Sequence, residues 1–98
     1  MQQTDNPTDM ASEIVRRSMR KRTLTIDIIL SEFSQDDIFA STQVQKKVEE
    51  NEGVDVTYST VTRAFNDLRE MRVLKKYNGQ QWTFKPRRYW RISGGDEE

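Results

Sequence analysis

The stretch that most restricts the fold is VDVTYSTVTRAFNDLREMRVL, residues 54 to 74. Thr57 has the residue type and position of a helix N-cap, and Val56 before it can pack on Val61 as a hydrophobic staple. Val61, Ala64, Phe65 and Leu68 then fall within about 100° of one another on a 3.6-residue wheel, a single core-facing stripe. Ser59, Thr62, Arg63 and Asn66 lie opposite, with no acid among the four. These side chains are of the types that hydrogen-bond phosphates and base edges. Directly after Met71 the pattern turns extended, so a capped amphipathic helix over residues 58 to 71 runs almost without a break into a strand.

Further helices precede it. ASEIVRRSMRKR places Ile14, Val15 and Met19 on one face and predicts a helix over about residues 10 to 20, with Arg16, Arg17, Arg20, Lys21 and Arg22 around and after it. TLTIDIILSEF predicts a second helix. Ile26, Ile29, Leu30 and Phe33 form its broad stripe, while Leu24 and Ile28 fall on the other side, and a helix apolar on two faces needs two partners. One partner is the core; the second is either the first helix or the same surface of another chain. DDIFAST reads as a short extended segment ending in a cap, with Thr42 and Gln45 as the reciprocal pair and Ser41 as the alternative cap. Val44 and Val48 face inward along the helix that follows, which the pair Glu52 and Gly53 stops.

Beyond the helices, VLKKY and RYWRIS are β-branched or aromatic, and Asn78-Gly79 is a turn signal. A tight turn pairs residues 75 to 77 with QQWTF. The preferred arrangement pairs VLKKY with RYWRI instead and leaves residues 78 to 86 as a long loop, because Pro86 interrupts pairing just before RRYWRI. In that register Trp90 and Ile92 share one face, and Tyr89 and Arg91 the other.

Charge is distributed unevenly. The chain has sixteen basic and sixteen acidic residues, but residues 59 to 92 carry nine of the former and two of the latter. A basic module therefore sits within a chain of zero net charge, the pattern of a polyanion-binding segment or of a solvated helix and hairpin. Only 21 of the 98 residues are Leu, Ile, Val or Phe, which limits the chain to one small core. Residues 1–9 and the acidic 93–98 lack apolar periodicity and are expected as disordered tails around a domain at 10–92. The longest apolar run, Ile28 to Leu30, cannot span a membrane, and no signal-peptide pattern opens the chain. A cytoplasmic location is expected, nucleoid-associated in a prokaryote. With no His and no Cys, the common nucleophile-base pairs and thiolate or imidazole metal sites cannot be assembled, and no glycine-rich phosphate loop is present. The chain reads as a binding protein and not an enzyme, with no cofactor, metal or small-molecule ligand implied.

The order helix, helix, short strand, helix, turn, helix, strand, loop, strand resembles the winged helix-turn-helix family of DNA-binding domains over about residues 22 to 92. STQVQKKV stands as the first helix of the pair, VTYSTVTRAFNDL as the recognition helix, MRVLKKY as the exit strand and YWRI as the closing strand. VTYSTVTRAFNDLREMRVLKKY is similar to the DNA-reading half of ferric uptake regulators and related repressors, although the His and Cys ligands of those metal sensors are missing. The resemblance implies an α+β fold: a three-helix core with a C-terminal β-hairpin wing, plus an extra N-terminal helix. It also implies a small transcriptional regulator, such as a repressor, that reads duplex DNA with helix 58–71 in the major groove and the wing, 78–88, on the backbone or in the minor groove.

Carried onto this sequence, that reading gives Arg63 to guanine and Asn66 to adenine, with Ser59, Thr60 and Thr62 positioning the helix on phosphates and Tyr58 beside them in its N-terminal half. For Arg63 a phosphate contact or a pair with Asp67 at i+4 competes with base reading. Ser41 and Thr42 either present backbone amides to a phosphate or simply cap their helix. Lys75, Lys76, Lys85, Arg87 and Arg88 form the second contact zone, and about five neutralised phosphates give a salt slope of roughly −4 to −5. A homodimer on a repeated site is expected, through the N-terminal helix and the Leu24/Ile28 face. The alternatives are a winged-helix module that binds protein through Trp82 and Phe84 exposed on the wing, and a replication factor that stacks single-stranded nucleic acid on Trp82, Phe84 or Tyr89.

Overall fold

The structure, a computed structural model, describes residues 7 to 91, with side chains from Met19 onward. The tails at 1–6 and 93–98, Ile92, and the side chains of Ile14, Val15, Arg16 and Arg17 lie outside the described residues. The chain is α+β: three α-helices and a three-stranded antiparallel sheet among the described residues.

The first helix, α1, runs without interruption over Pro7–Glu32. This replaces the two helices expected on either side of residues 21 and 22, and it takes residues 7 to 9 from the expected tail. Neither proline nor glycine interrupts the segment 8 to 32. The buried Thr25 satisfies its hydroxyl inside the helix, donating to the Lys21 carbonyl at 2.7 Å. Ile28 and Ile29 are fully in the core, with Leu24, Ile26, Leu30 and Phe33 packed at its margin. Within the chain α1 packs against α2 and α3. With 4% of its surface exposed, Ile28 has no part in a free dimer stripe.

The strand β1 spans Ile38–Phe39, and α2 spans Ser41–Glu52. The cap of α2 is Ala40 rather than Thr42 or Ser41; the Gln43 side chain accepts its amide at 3.0 Å. Alanine offers no side-chain oxygen in return, so only half of the reciprocal pattern forms. Gln45 is used elsewhere, donating to the Val56 carbonyl at 2.9 Å and tying α2 to the following turn. Gly53, at φ +65°, ends α2 in the left-handed conformation where glycine is least strained.

The helix α3 covers Tyr58–Glu70, and Thr57 caps it, its hydroxyl oxygen accepting the Thr60 amide at 3.1 Å. Val56 and the stripe Val61, Ala64, Phe65 and Leu68 are buried as the spacing predicts. The exit from α3 is a Schellman turn: Val73 N–H donates to the Leu68 carbonyl at 2.8 Å and Arg72 N–H to that of Arg69 at 3.0 Å. Arg72 takes the left-handed position at φ +63°.

The strands β2, Leu74–Asn78, and β3, Gln81–Phe84, pair through a tight turn at Gly79-Gln80, and the sheet order is β1-β3-β2. The long loop and the strand pairing of VLKKY with RYWRI are not found. The tight hairpin aligns Leu74 with Phe84 and Phe39 with Trp82, which turns both Trp82 and Phe84 inward. An open loop would have left two large aromatics in water, a cost of roughly 1.5–3 kcal/mol each. After Pro86 the chain forms a single 3-10 turn over Arg87–Tyr89 and returns toward α3, where Arg91 N–H donates to the Met71 carbonyl at 2.6 Å. Trp90 lies against Phe84, centroids 5.7 Å apart, and its indole N–H donates to the Lys85 carbonyl at 2.8 Å. The rings of Trp82, Phe65, Phe39, Phe84 and Trp90 thus form one connected series through the core.

Candidate nucleic-acid interface

Three kinds of side chain ring the exposed part of α3. Its buried stripe fixes the rotation of the helix, and that rotation decides which polar residues meet which neighbour. Asp67 turns toward α1, where it pairs with Arg22 at 3.4 Å, and Thr60 is engaged with Thr57 in the cap. Ser59 and Arg63 stand exposed along the outer line of the helix. Tyr58, Thr62, Asn66 and Arg69 turn toward the hairpin and form one wall of a groove of about 250 Å³. Its opposite wall is Lys76 and Gln80, its floor is formed by Phe65 and Trp82, and Ser41 at the start of α2 closes one end. No carboxylate lines it. The Lys76 ammonium sits 5.3 Å from the Trp82 ring centroid, so the cation is held at the groove wall by the aromatic floor.

Several residues chosen from sequence come together here: Ser41, Tyr58, Thr62, Asn66 and Lys76. Arg63 and Ser59 lie beside them on the exposed side of α3. Asp67 is engaged by Arg22, and the i+4 pairing considered for Arg63 is not the arrangement found. Thr60 does not present a free hydroxyl: it shares a hydrogen bond of 3.1 Å with the Thr57 hydroxyl in the cap. Thr42 is exposed on the first turn of α2 but outside the groove. The backbone amides of Ser41 and Thr42 are among the first-turn donors that a helix leaves unpaired.

The five cations expected as a single zone are divided by strand alternation. Lys76 pairs with inward-facing Trp82, and Lys75 with outward-facing Thr83, so the adjacent lysines point to opposite faces of the hairpin. Lys75 and Arg87 line a separate cleft with Gln35, Asp36, Ile38 and Tyr77. Lys85 and Arg88 are both stacked on Tyr89, at 5.2 and 4.8 Å from its centroid. The hairpin turn itself, Asn78 to Gln81, is uncharged.

Trp82 and Phe84 are 5% and 6% exposed, which removes them as anchors for a protein partner or as stacking platforms. Sequence reasoning missed two groove residues. Arg69 lies three residues after Asn66 and seven after Thr62, and this helical spacing was the available signal. Gln80 joins the groove only because the turn is tight, so the loop expectation concealed it.

No protein-family model, curated protein or solved structure matches the chain. Among the described residues, no helix is long and apolar enough to cross a membrane.

Proposed function

We propose that the chain is a winged helix-turn-helix domain that binds double-stranded DNA, with α2 and α3 as the helix pair and the β2–β3 hairpin as the wing. The observation that carries the reading is the groove between α3 and the hairpin, whose lining combines hydroxyls, amides and two cations with no carboxylate. A protein interface needs no such exclusion of acids, whereas a phosphate backbone does. In this reading the N-terminal half of α3 enters the major groove, Arg63 reaches guanine O6 and N7, and Asn66 reaches adenine. Arg69, Lys76 and the first-turn amides of α2 hold phosphates. A single domain of this size spans few base pairs, so the reading includes a small regulator acting as a homodimer on a repeated site. The apolar surface open to such a contact is Met19, Leu24 and Val54.

The test is fluorescence anisotropy of a labelled random duplex with wild type, Arg63→Ala and Asn66→Ala, followed by selection of bound sequences from the random pool. Binding at low salt is expected, with the selected sequence preference relaxed at one position in each variant. A wild-type protein that leaves the duplex free at low salt refutes the proposal.

A further inference from the structure

The face of the hairpin opposite the α3 groove carries basic and aromatic side chains that duplex binding in that groove does not use. Thr83 is flanked across the sheet by Ile38 and Lys75, and all three side chains point away from the core. The Thr83 hydroxyl donates to the Asp37 carbonyl at 2.9 Å, which pins the middle of this face. Tyr77, at the irregularity between Lys76 and Asn78, is 57% exposed. Beside it an open cleft of about 750 Å³ runs from Lys75 and Tyr77 to Pro86 and Arg87. Lys85 continues the outward alternation of Thr83; its amide extends the ladder to the Val73 carbonyl at 2.8 Å. Its ammonium and the Arg88 guanidinium both sit over Tyr89, which is 44% exposed.

Three of the four cations on this side are held over aromatic rings, Arg87 on Trp90 at 4.7 Å and the other two on Tyr89. Such stacking limits the rotamers of long side chains, so less side-chain entropy is lost when an anion is bound. Only Asp36 adds a carboxylate to the cleft; the neighbouring Asp37 carboxylate is occupied, accepting the Ser34 amide at 2.8 Å. An exposed tyrosine set among fixed cations suits a ligand with alternating π faces and negative charges.

We infer that this outer face of the hairpin is a second nucleic-acid site, taking a single strand, with one base stacked on Tyr77 and the backbone along Lys75, Arg87, Lys85 and Arg88. It is separate from the α3 groove, so a duplex and a single strand can be held at once, as at a junction between them. An acidic peptide is the competing occupant, but it supplies the charges without the flat partner that the exposed Tyr77 ring fits.

The probe is a labelled oligothymidylate of about twenty nucleotides, measured beside a random duplex of equal length at low salt. Tyr77→Ala is expected to weaken oligothymidylate binding roughly tenfold, the scale of one lost base stack, and Tyr77→Phe to restore it. Lys75→Ala combined with Arg87→Ala is expected to lower the salt slope for the single strand by about 1.4. Duplex binding stays within twofold in both variants, while Asn66→Ala shows the opposite pattern and so reports on the groove independently. The inference is overturned if oligothymidylate does not bind, if Tyr77→Ala leaves its affinity unchanged, or if duplex and single strand weaken together. Displacement of the single strand by polyglutamate at equal charge concentration assigns the face to acidic protein partners and overturns it as well.

Discussion

Arg72 occupies the left-handed position that closes α3, where glycine is the usual residue. A side chain there costs about 1–2 kcal/mol in backbone strain, partly offset because glycine is more flexible when unfolded. Arg72→Gly is therefore expected to stabilise the protein by about 0.5–1 kcal/mol, read as a higher urea midpoint at unchanged slope. Thr57 was legible as a cap because the apolar stripe four residues on fixes where the helix must start. The start of α2 was not legible in the same way. Ser41 and Thr42 are better caps by residue type, yet β1 ends at Phe39 and leaves Ala40 at the junction, with Gln43 reaching back to it. Residue preference was overruled there by where the strand delivers the chain.

At the scale of elements, α1 and the hairpin tell against purely local reading. The sequence between residues 20 and 25 has two β-branched threonines and a change in hydrophobic pattern, which reads as a joint between helices. The helix continues because no residue in it forbids the helical bond, and its described second half is anchored on the core through Ile28 and Ile29. Thr23→Pro distinguishes the two cases, since Thr23 is exposed and contributes little packing. A proline tolerated at a joint would instead break a continuous helix and cost about 3 kcal/mol or more, measurable by chemical denaturation. In the hairpin, Pro86 was read as the break before a strand over RRYWRI, whereas the strand next to it is β3, which ends at Phe84, and a 3-10 turn follows. Burial of Trp82 and Phe84, a tertiary effect, favours the pairing that the turn signal at Asn78-Gly79 also offered.

Across the whole molecule, the sequence showed that residues 59 to 92 are basic, but not that the excess is divided between two faces of one hairpin. A two-residue period moves adjacent lysines to opposite sides, so a count of charges overstates what any one ligand can meet. On the α3 side the cations available to a duplex are Arg63, Arg69 and Lys76. With Arg63 on a base, Arg69 and Lys76 neutralise phosphates, so the dependence of log affinity on log salt for duplex DNA is expected near −2, shallower than the −4 to −5 of about five neutralised phosphates. Lys75→Ala should leave that slope unchanged and Lys76→Ala should reduce it by about 1, as titrations at several salt concentrations would show.

The two tryptophans stand at opposite ends of the connected aromatic series, Trp82 beneath Lys76 and Trp90 beneath Arg87. A positive charge close to an indole ring shifts and quenches its emission, so each end of the core holds a natural fluorophore tuned by the cation above it. With one tryptophan replaced by phenylalanine, the other becomes a label-free optical reporter for its own side of the molecule, so a pair of single-tryptophan variants follows the two faces separately.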